Sequence, residues 1–251
     1  MGIQGIFTKN LDTALLNNNI DVAVHSLKDV PTKLPRGIKI TAILPRGNVN
    51  DLIIYSPKFK GWETKTTIGS GSLRRKAQWL RKYPHHKVEN LRGNLPKRME
   101  KLKNSDWSGA IFAQAGIERI GLLTENYEIL NWMIPAPAQG IIGITTLENN
   151  PSLKKSLQKI NCEETASCAQ IERSFLSTLE GGCTAPIGAI AKIRGEIIHF
   201  KGGLFSLDGK KAFTIEEEIN IKEAKGYGKK AGLKILKEGG KELMEQIKPK
   251  L

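Results

Sequence analysis

The sequence predicts an α/β protein with two domains around a cleft and a small α+β third domain that contains an antiparallel sheet. Three observations support this fold class. Short apolar strands alternate with helical segments over residues 7–120, the pattern of sheet-and-helix units. A Pro- and Ala-rich stretch at 132–140 has the composition of a hinge between two such units. Beyond it, residues 187–219 contain three strand-like segments separated by Arg-Gly and Asp-Gly turns.

The first domain is predicted to open with a helix over residues 7–16, in which apolar positions recur at spacings of three and four. Strands rich in branched residues follow at 20–24 and 38–44. The polar loop 25–31 comes directly after the first of these strands. Open α/β sheets bind their ligands beyond the carboxyl ends of strands, so this loop is a candidate site.

Asp29 is the only carboxylate in loop 25–31, and Lys28 and Ser26 lie beside it. An Asp before a Pro is often a simple turn residue. Its position at a strand end also makes Asp29 a candidate catalytic residue.

Three strand-to-helix junctions of the second unit each present arginine. Ser72, Arg74 and Arg75 open a helix after a Gly/Ser turn, where free N–H groups bind anions. Two arginines in a first helical turn are unfavourable unless an anion lies opposite, so an oxyanion site is predicted there. The other two junctions contain, in chain order, Arg92, Asn94, Arg98, Gly116 and Arg119. Guanidinium groups bind carboxylates through two parallel hydrogen bonds, which lysine cannot do.

The domain boundaries follow from the hinge. The apolar strand at 141–144 is expected to return to the first domain. Domain 1 is then residues 1–45 completed by 141–158, domain 2 is 46–140, and the C-terminal domain is 159–251. The last domain is predicted to end with an amphipathic helix over about 224–237 and a basic tail.

Cys183 lies in a loop that two glycines free and a proline ends, within residues 179–186. It is interpreted either as a small hydrophobic turn residue or as a covalent anchor for an acidic group that the arginines would bind. Cys168, in a helical segment rich in small residues, is expected to be a packing residue. With Cys162 the three cysteines fit neither a zinc site nor a disulfide framework, so no metal is expected.

The formal charge of +14 favours anionic partners. Nucleic acid is not expected, because the four tryptophans are dispersed along the sequence and do not interleave with the basic residues as in single-strand binders. No stretch approaches the ~20 apolar residues of a membrane helix, and the N-terminus lacks a signal-peptide pattern. The cytoplasm is the expected compartment, with no membrane partner.

Six motifs occur in the order found in one family: HSLKDVP, GSGSLRR, LRGN followed by Arg98, AGIERIG, PAPAQG and LEGGC. From about Gly2 to the last helix the sequence resembles hydroxymethylbilane synthases, also called porphobilinogen deaminases. The resemblance implies that the first two domains are built like periplasmic binding proteins. It also implies a monomeric transferase of haem biosynthesis, which joins four porphobilinogen molecules into the linear tetrapyrrole hydroxymethylbilane and releases ammonia.

The resemblance also implies residue roles. Cys183 would hold the dipyrromethane cofactor through a thioether, and Asp29 would stabilise positive charge on pyrrole nitrogens as ammonia leaves. Acetate and propionate side chains would be bound by arginines, namely Arg74, Arg75, Arg92, Arg98 and Arg119. Further contacts to cofactor or substrate would come from Ser26, Lys28, Ser72, Asn94, Gly116 and Gln139.

Family members normally begin with a strand, a helix and a second strand, and this sequence starts after them. Weak or absent activity of residues 1–251 is therefore expected. The alternative hypothesis is a non-catalytic anion-binding clamp of the periplasmic type. That hypothesis gives no reason for Asp29 or for Cys183 on its Gly-Gly loop, and unchanged function in Cys183→Ala would favour it.

Overall fold

The computed structural model describes residues 6–59, 61–62, 65–123, 125–179 and 185–250. It contains three sheets, each covered by helices, and we refer to the first, second and third units after these sheets. Two units are mixed α/β layers and the third has an antiparallel sheet, which confirms the predicted fold class. None of the described helices is long and apolar enough to span a membrane.

The first unit has a three-stranded sheet in the order β1 (Ala23–Ser26), β8 (Ile142–Leu147) and β2 (Ile38–Ile43). The central strand β8 runs antiparallel to both neighbours. Helix α1 (Ile6–Leu16) packs on this sheet through Leu15, which is fully buried. The helix ends at Leu16, and the left-handed backbone of Asn18 (φ +55°) just beyond it turns the chain toward β1.

The second unit has five strands in the order β5 (Lys87–Glu89), β4 (Thr67–Gly69), β6 (Gly109–Ala113), β3 (Asp51–Tyr55) and β7 (Tyr127–Ile129). The helices are α2 (Leu73–Lys82), α3 (Leu95–Asn104) and α4 (Gln114–Arg119). β4 is parallel to both β5 and β6, so these three strands end at the same edge of the sheet. The three arginine-bearing junctions therefore meet at that edge.

Two crossover segments join the first two units, residues 44–50 and 130–141. They pair with each other, since Gly47 N donates to Gly140 O at 3.0 Å and Leu44 N donates to Ile142 O at 3.0 Å. Gly140 has φ +83°, and a Cβ there would lie 2.8 Å from two main-chain oxygens of the other crossover. Only glycine fits this close approach without displacing the partner segment.

The third unit is an antiparallel meander of β9 (Ile187–Arg194), β10 (Ile197–Phe205) and β11 (Ala212–Asn220). Helices α6 (Glu163–Thr178) and α7 (Tyr227–Ile235) cover it, and α5 (Pro151–Gln158) leads in from the first unit. The buried rings of Phe175, Phe200 and Tyr227 meet edge to face in its core, with centroids 5.3 and 5.4 Å apart.

The prediction of one C-terminal helix over about 224–237, followed by a basic tail, was wrong in part. Helix α7 ends at Ile235, a wider turn with Gly239 at φ +112° follows, and a further helix α8 (Lys241–Ile247) succeeds it. Leu243, Met244 and Ile247 lie on one face of α8 and are buried. The pair of glycines thus interrupts the helical segment, and apolar burial continues beyond them.

Three of the four tryptophans, dispersed in the sequence, meet in the fold. Trp62 and Trp132 both contact Trp79, with ring centroids 5.2 and 6.0 Å away. Trp79 is buried and the cluster belongs to the core of the second unit. Trp107 packs in a separate cluster on that unit. The rings pack against one another inside the unit, so they do not form a row of exposed stacking platforms.

Candidate functional site

Loop 25–31 presents its polar side chains at the edge of the first unit. Strand β1 ends at Ser26, and one 3₁₀ turn covers Leu27–Asp29. Leu27 is fully buried beneath the turn and Val30 is nearly so. Because these apolar anchors point inward, Ser26 and Asp29 are exposed and Lys28 is half-buried between them.

Lys28 lies between the first and second units. Its Nζ donates to Gln139 Oε1 at 3.4 Å. Burial lowers the pKa of Lys28 to about 8, and the neighbouring Arg75 adds to this, while Asp29 and Asp51 oppose it. This lysine is therefore close to the charges of both units and titrates nearer neutrality than a free lysine.

The start of α2 lies on the other side of the cleft. The Ser72 side chain accepts a hydrogen bond from Arg75 N at 3.4 Å and caps the helix. Arg74 Nη1 donates to Asp51 Oδ2 at 2.7 Å, and Arg75 Nε donates to Asp51 Oδ1 at 2.9 Å. Gln139 Nε2 also donates to Asp51 Oδ1, at 2.9 Å. The anion that the sequence analysis placed opposite these arginines is thus supplied in part by the protein itself.

Asp51 is fully buried, and burial alone would raise the pKa of its carboxyl group. The charges and hydrogen bonds of Arg74, Arg75 and Gln139 outweigh that effect and hold the pKa well below its usual range. Asp51 therefore remains a carboxylate. Its single negative charge faces two guanidinium groups, with Lys28 close by, so the site has surplus positive charge.

One donor of this cluster is unused. Arg74 Nε is buried and has no hydrogen-bond partner among the described residues. The unpaired N–H adds to the positive potential of the cluster, and this surplus positive charge fits a ligand with carboxylate groups better than a neutral one.

The second junction is at the start of α3. Asn94 caps this helix by accepting from Lys97 N at 3.0 Å, and Arg98 Nε donates to Gly93 O at 2.7 Å. Burial lowers the pKa of Arg98 and the charge of Asp29 opposes the shift, so these two groups interact across the cleft. Arg92 is exposed beside them.

The third junction contacts the crossovers. Arg119 Nη2 donates to Gly140 O at 2.8 Å, and Gln139 Nε2 donates to Val49 O at 2.8 Å. Gly116 lies one turn earlier in α4, where a Cβ would approach the Leu95 side chain at 3.4 Å. Arg119 and Gln139 thus connect the arginine-bearing edge of the second unit to the segments that join it to the first.

Cys183 lies outside the described residues. The residues on either side of segment 180–184, Leu179 and Ala185, are buried in the core of the third unit. Burial raises the pKa of the Cys168 thiol to about 11, as expected for a packing residue.

The sequence analysis missed a buried ion pair between the crossover and the third unit. Arg46 donates to both carboxylate oxygens of Glu172, at 2.6 and 3.1 Å. Glu172 also accepts from Ala138 N and from Ala191 N, each at 2.7 Å. A signal was available, because Glu172 falls among the apolar positions of a helix whose neighbouring residues are buried.

Two family models match the chain. Residues 1–155 match "Porphobilinogen deaminase, dipyromethane cofactor binding domain", and residues 166–237 match "Porphobilinogen deaminase, C-terminal domain".

Relatives with the same family name match over nearly the whole chain. A porphobilinogen deaminase of Carboxydothermus hydrogenoformans is 39% identical over 99% of this chain and 81% of its own length. One from Desulforamulus reducens is 38% identical over 99% of this chain and 82% of its own length. A probable porphobilinogen deaminase of Methanocaldococcus jannaschii is 39% identical over 92% of this chain and 82% of its own length.

Among solved structures, an ABC transporter protein from Parabacteroides distasonis has a TM-score of 0.43. It is 8% identical over 68% of this chain and 60% of its own length. A likeness this weak carries no argument.

Proposed function

The chain belongs to the porphobilinogen deaminase family, and from this premise we propose that it joins porphobilinogen units head to tail into hydroxymethylbilane. In each addition the aminomethyl carbon of the substrate loses its nitrogen as ammonia. That carbon then bonds to the free α-carbon of the terminal ring, which releases a proton. The observation that carries the proposal is the family match over both halves of the chain, together with a cleft in which Asp29 faces Arg98 and Lys28.

Asp29 is assigned to the reacting centre. Departure of ammonia leaves positive charge on the pyrrole ring system, and an anion beside the ring stabilises that charge. Asp29 is the exposed carboxylate of a turn whose neighbours are buried, so its side chain is available in the cleft while its backbone is held. Arg98 and Lys28, which carry the opposite charge, interact electrostatically with this carboxylate.

The arginines are assigned to the acidic side chains of substrate and product. Each added ring brings an acetate and a propionate, so negative charge accumulates as the chain grows. Arg92 and Arg98 are the more accessible guanidinium groups, and Arg119 is exposed beside the crossover. Arg74 and Arg75 are mostly occupied by Asp51, so we assign to them the surplus positive charge and the free Nε of Arg74.

The described residues fit the dipyrromethane group, which is itself acidic, because the cleft has more cationic N–H donors than carboxylates. The residues assigned to holding it, apart from the Cys183 thioether, are Ser26, Lys28, Ser72, Arg74, Arg75 and Gly116. When bound, it supplies the primer to which the first substrate unit is joined. We assign Asn94 and Gln139, with the exposed arginines, to the incoming substrate.

The remaining parts of the proposal concern organisation. We divide the chain into domain 1 (1–45 with 141–158), domain 2 (46–140) and a cofactor-carrying domain (159–251). The crossover pairing and the position of β8 in the first sheet support this division. A monomer in the cytoplasm is the proposed state.

The test is the intact mass of the purified protein with its turnover of porphobilinogen. We expect a mass increment of two pyrrole units on the parent and on Cys162→Ser, and none on Cys183→Ser. Asp29→Asn should slow hydroxymethylbilane formation by about 100- to 1000-fold, whereas Asp106→Asn, at an exposed ion pair with Lys58, should leave it unchanged. An unmodified parent that binds porphobilinogen without releasing ammonia would overturn the proposal and favour the anion-binding clamp.

A further inference from the structure

One arginine of the third unit binds the turn that contains Asp29. Arg173 lies on α6, and its Nη1 donates to Val30 O at 2.8 Å and to Leu27 O at 3.2 Å. Its Nη2 donates to Pro31 O at 2.7 Å. The three carbonyls surround Asp29 in the sequence, one before it and two after it.

Val30 O and Pro31 O lie just beyond a short helical turn, where main-chain oxygens lack helical partners, and Leu27 O lies at its start. A planar guanidinium can bind several such oxygens at once, and its charge strengthens each hydrogen bond. Leu27 O also accepts from Val30 N at 3.2 Å, the bond that closes the turn. Arg173 therefore holds the backbone on both sides of Asp29, while the carboxylate itself stays exposed.

Helix α6 is itself fixed at the neighbouring residue. Glu172 binds Arg46 and the main chain of the second crossover. The same helix leads directly to the loop of Cys183, ten residues beyond Arg173. One rigid element thus connects the turn of Asp29, the crossovers and the loop of the anchor cysteine.

We infer that Arg173 is a positioning residue, which fixes the turn of the Asp29 carboxylate relative to helix α6. The inference rests on the proposed function, because that function is what assigns Asp29 to the reacting centre. Reacting groups misplaced by about 1 Å can lose two orders of magnitude in rate. A fixed turn keeps the carboxylate in place as successive rings are added.

The surroundings of Arg173 allow a direct test. A groove of about 640 Å³ lies between the first unit and α6, and Arg173 forms part of its wall with Ile40, Ile43, Ser177 and Lys229. Truncation of Arg173 to alanine would extend this open groove to the three carbonyls. A free guanidinium ion from solvent could then occupy the position of the missing side chain.

The first experiment is amide hydrogen exchange of the segment 24–34, which requires no turnover. Arg173→Ala should accelerate exchange there by about tenfold or more, and guanidinium chloride below denaturing concentrations should reverse this. Sodium chloride at equal ionic strength should not reverse the acceleration. The matched control is Arg81→Ala, which removes another arginine that binds carbonyls of a different unit, Gly209 O and Lys210 O. Arg81→Ala should leave the amide exchange of segment 24–34 unchanged.

The second experiment is steady-state kinetics on cofactor-loaded protein. Arg173→Ala should lower kcat by about 10- to 100-fold with little change in KM, and guanidinium should restore part of the rate. Arg173→Lys retains the positive charge but not the planar guanidinium, so its kcat should lie between those of the parent and Arg173→Ala. Combined with Asp29→Asn, Arg173→Ala should add no further loss, because both act through the same carboxylate.

Unchanged exchange of 24–34 in Arg173→Ala, or an additive loss in the double variant, would overturn the inference. If the parent protein forms no product, the proposed function fails, and the exchange experiment still decides whether Arg173 holds the turn.

Discussion

At the scale of single residues, the site contains more charge than an ordinary protein interior can hold without compensation. Lys28, Arg74 and Arg75 are arranged around the one buried carboxylate of Asp51. Desolvation penalises each cation, and the most weakly compensated one responds by losing affinity for its proton. Lys28 is that residue, because its Nζ makes only a 3.4 Å contact to an amide oxygen within the described part of the chain.

Acidic ligands should therefore bind less tightly as the pH rises through about 8. Below that pH Lys28 is charged and attracts carboxylates. Above it the free protein has lost the proton, and binding must take one up again, which weakens affinity by up to about tenfold per pH unit. The measurement is the Kd or KM for porphobilinogen between pH 7 and 9.5.

Two variants control this prediction. Lys28→Met should bind porphobilinogen more weakly at neutral pH and should show no loss of affinity as the pH rises. Lys234→Met, at an exposed ion pair of the third unit, should lose affinity with rising pH as the parent does. The ligand-free parent should also gain stability between pH 8 and 10.5, because the unfolded lysine there binds a proton that the folded one has released. Affinity that stays flat up to pH 9.5 in the parent would contradict the prediction.

Residues of the site differ in how visible they are in the sequence. Asp29 and the first and third arginine-bearing junctions follow apolar strands directly, so strand ends locate them, whereas the second junction follows the polar strand β5. Asp51 heads a strand and meets Arg74 across 23 positions of the chain, a contact that only tertiary folding creates. Arg173 resembles any polar residue of a long helix, and its role depends on a turn 142 to 146 residues earlier.

At the scale of elements, α6 packs in its own unit and also binds the crossovers and the turn of Asp29. Its apolar face packs in the third core through Phe175 and Ile171. Glu172, fully buried on the same helix, binds the crossover arginine and two main-chain N–H groups. Removing one partner of such a pair leaves an uncompensated buried charge, which costs more than the pair contributes.

Glu172→Gln should lower the free energy of unfolding by about 3–5 kcal/mol, because the guanidinium of Arg46 loses its counter-ion. Urea denaturation measures the change. The combined Glu172→Gln and Arg46→Gln protein should lose clearly less than the sum of the two single losses, since the second substitution removes the charge that the first exposes. Glu216→Gln, at an exposed cross-strand pair with Lys201, is the control and should change stability little. A loss no larger than this control would show that the buried pair is replaceable.

Sequence patterns located most elements but not all of their limits. Strand β2 lies at Ile38–Ile43, within one residue of the predicted 38–44, because its run of branched residues is followed and preceded by Pro-Arg-Gly turn signals. Strand β1 lies at Ala23–Ser26 instead of 20–24, since pairing with β8 continues through the polar residues and ends at Ser26 opposite Ile142. Helix α8 was missed because two glycines precede it, and only the buried face against the third core stabilises a helix so short.

At the scale of the whole molecule, three contacts hold the units in one arrangement. The crossovers join the first and second units, and α6 binds both the crossovers and the turn of Asp29. The third contact is the hairpin between β10 and β11, whose turn rests on helix α2. Since α2 begins with Arg74 and Arg75, this hairpin supports the second face of the cleft from behind.

Gly209 at the tip of that hairpin should not tolerate a side chain. Its φ is +75°, and a Cβ would lie 2.5 Å from both Ala77 O and Arg81 N in the backbone of α2. Gly195, in the opposite turn of the meander, has φ +61° with nothing within 4 Å of the added atom. Gly195→Ala should therefore lower the free energy of unfolding only by about 1–2 kcal/mol, the cost of a side chain on a left-handed backbone.

Gly209→Ala should lower the free energy of unfolding by the same conformational cost and by about 1–3 kcal/mol more, because the added methyl group overlaps α2. The difference between the two alanine variants in urea denaturation isolates the hairpin contact, because both share the same backbone conformation. If the turn lifts away from α2 instead, the exchange of amides in 73–82 should accelerate in Gly209→Ala and not in Gly195→Ala. Equal stability of the two variants, with equal protection of α2, would mean that the third unit does not support the arginine-bearing helix.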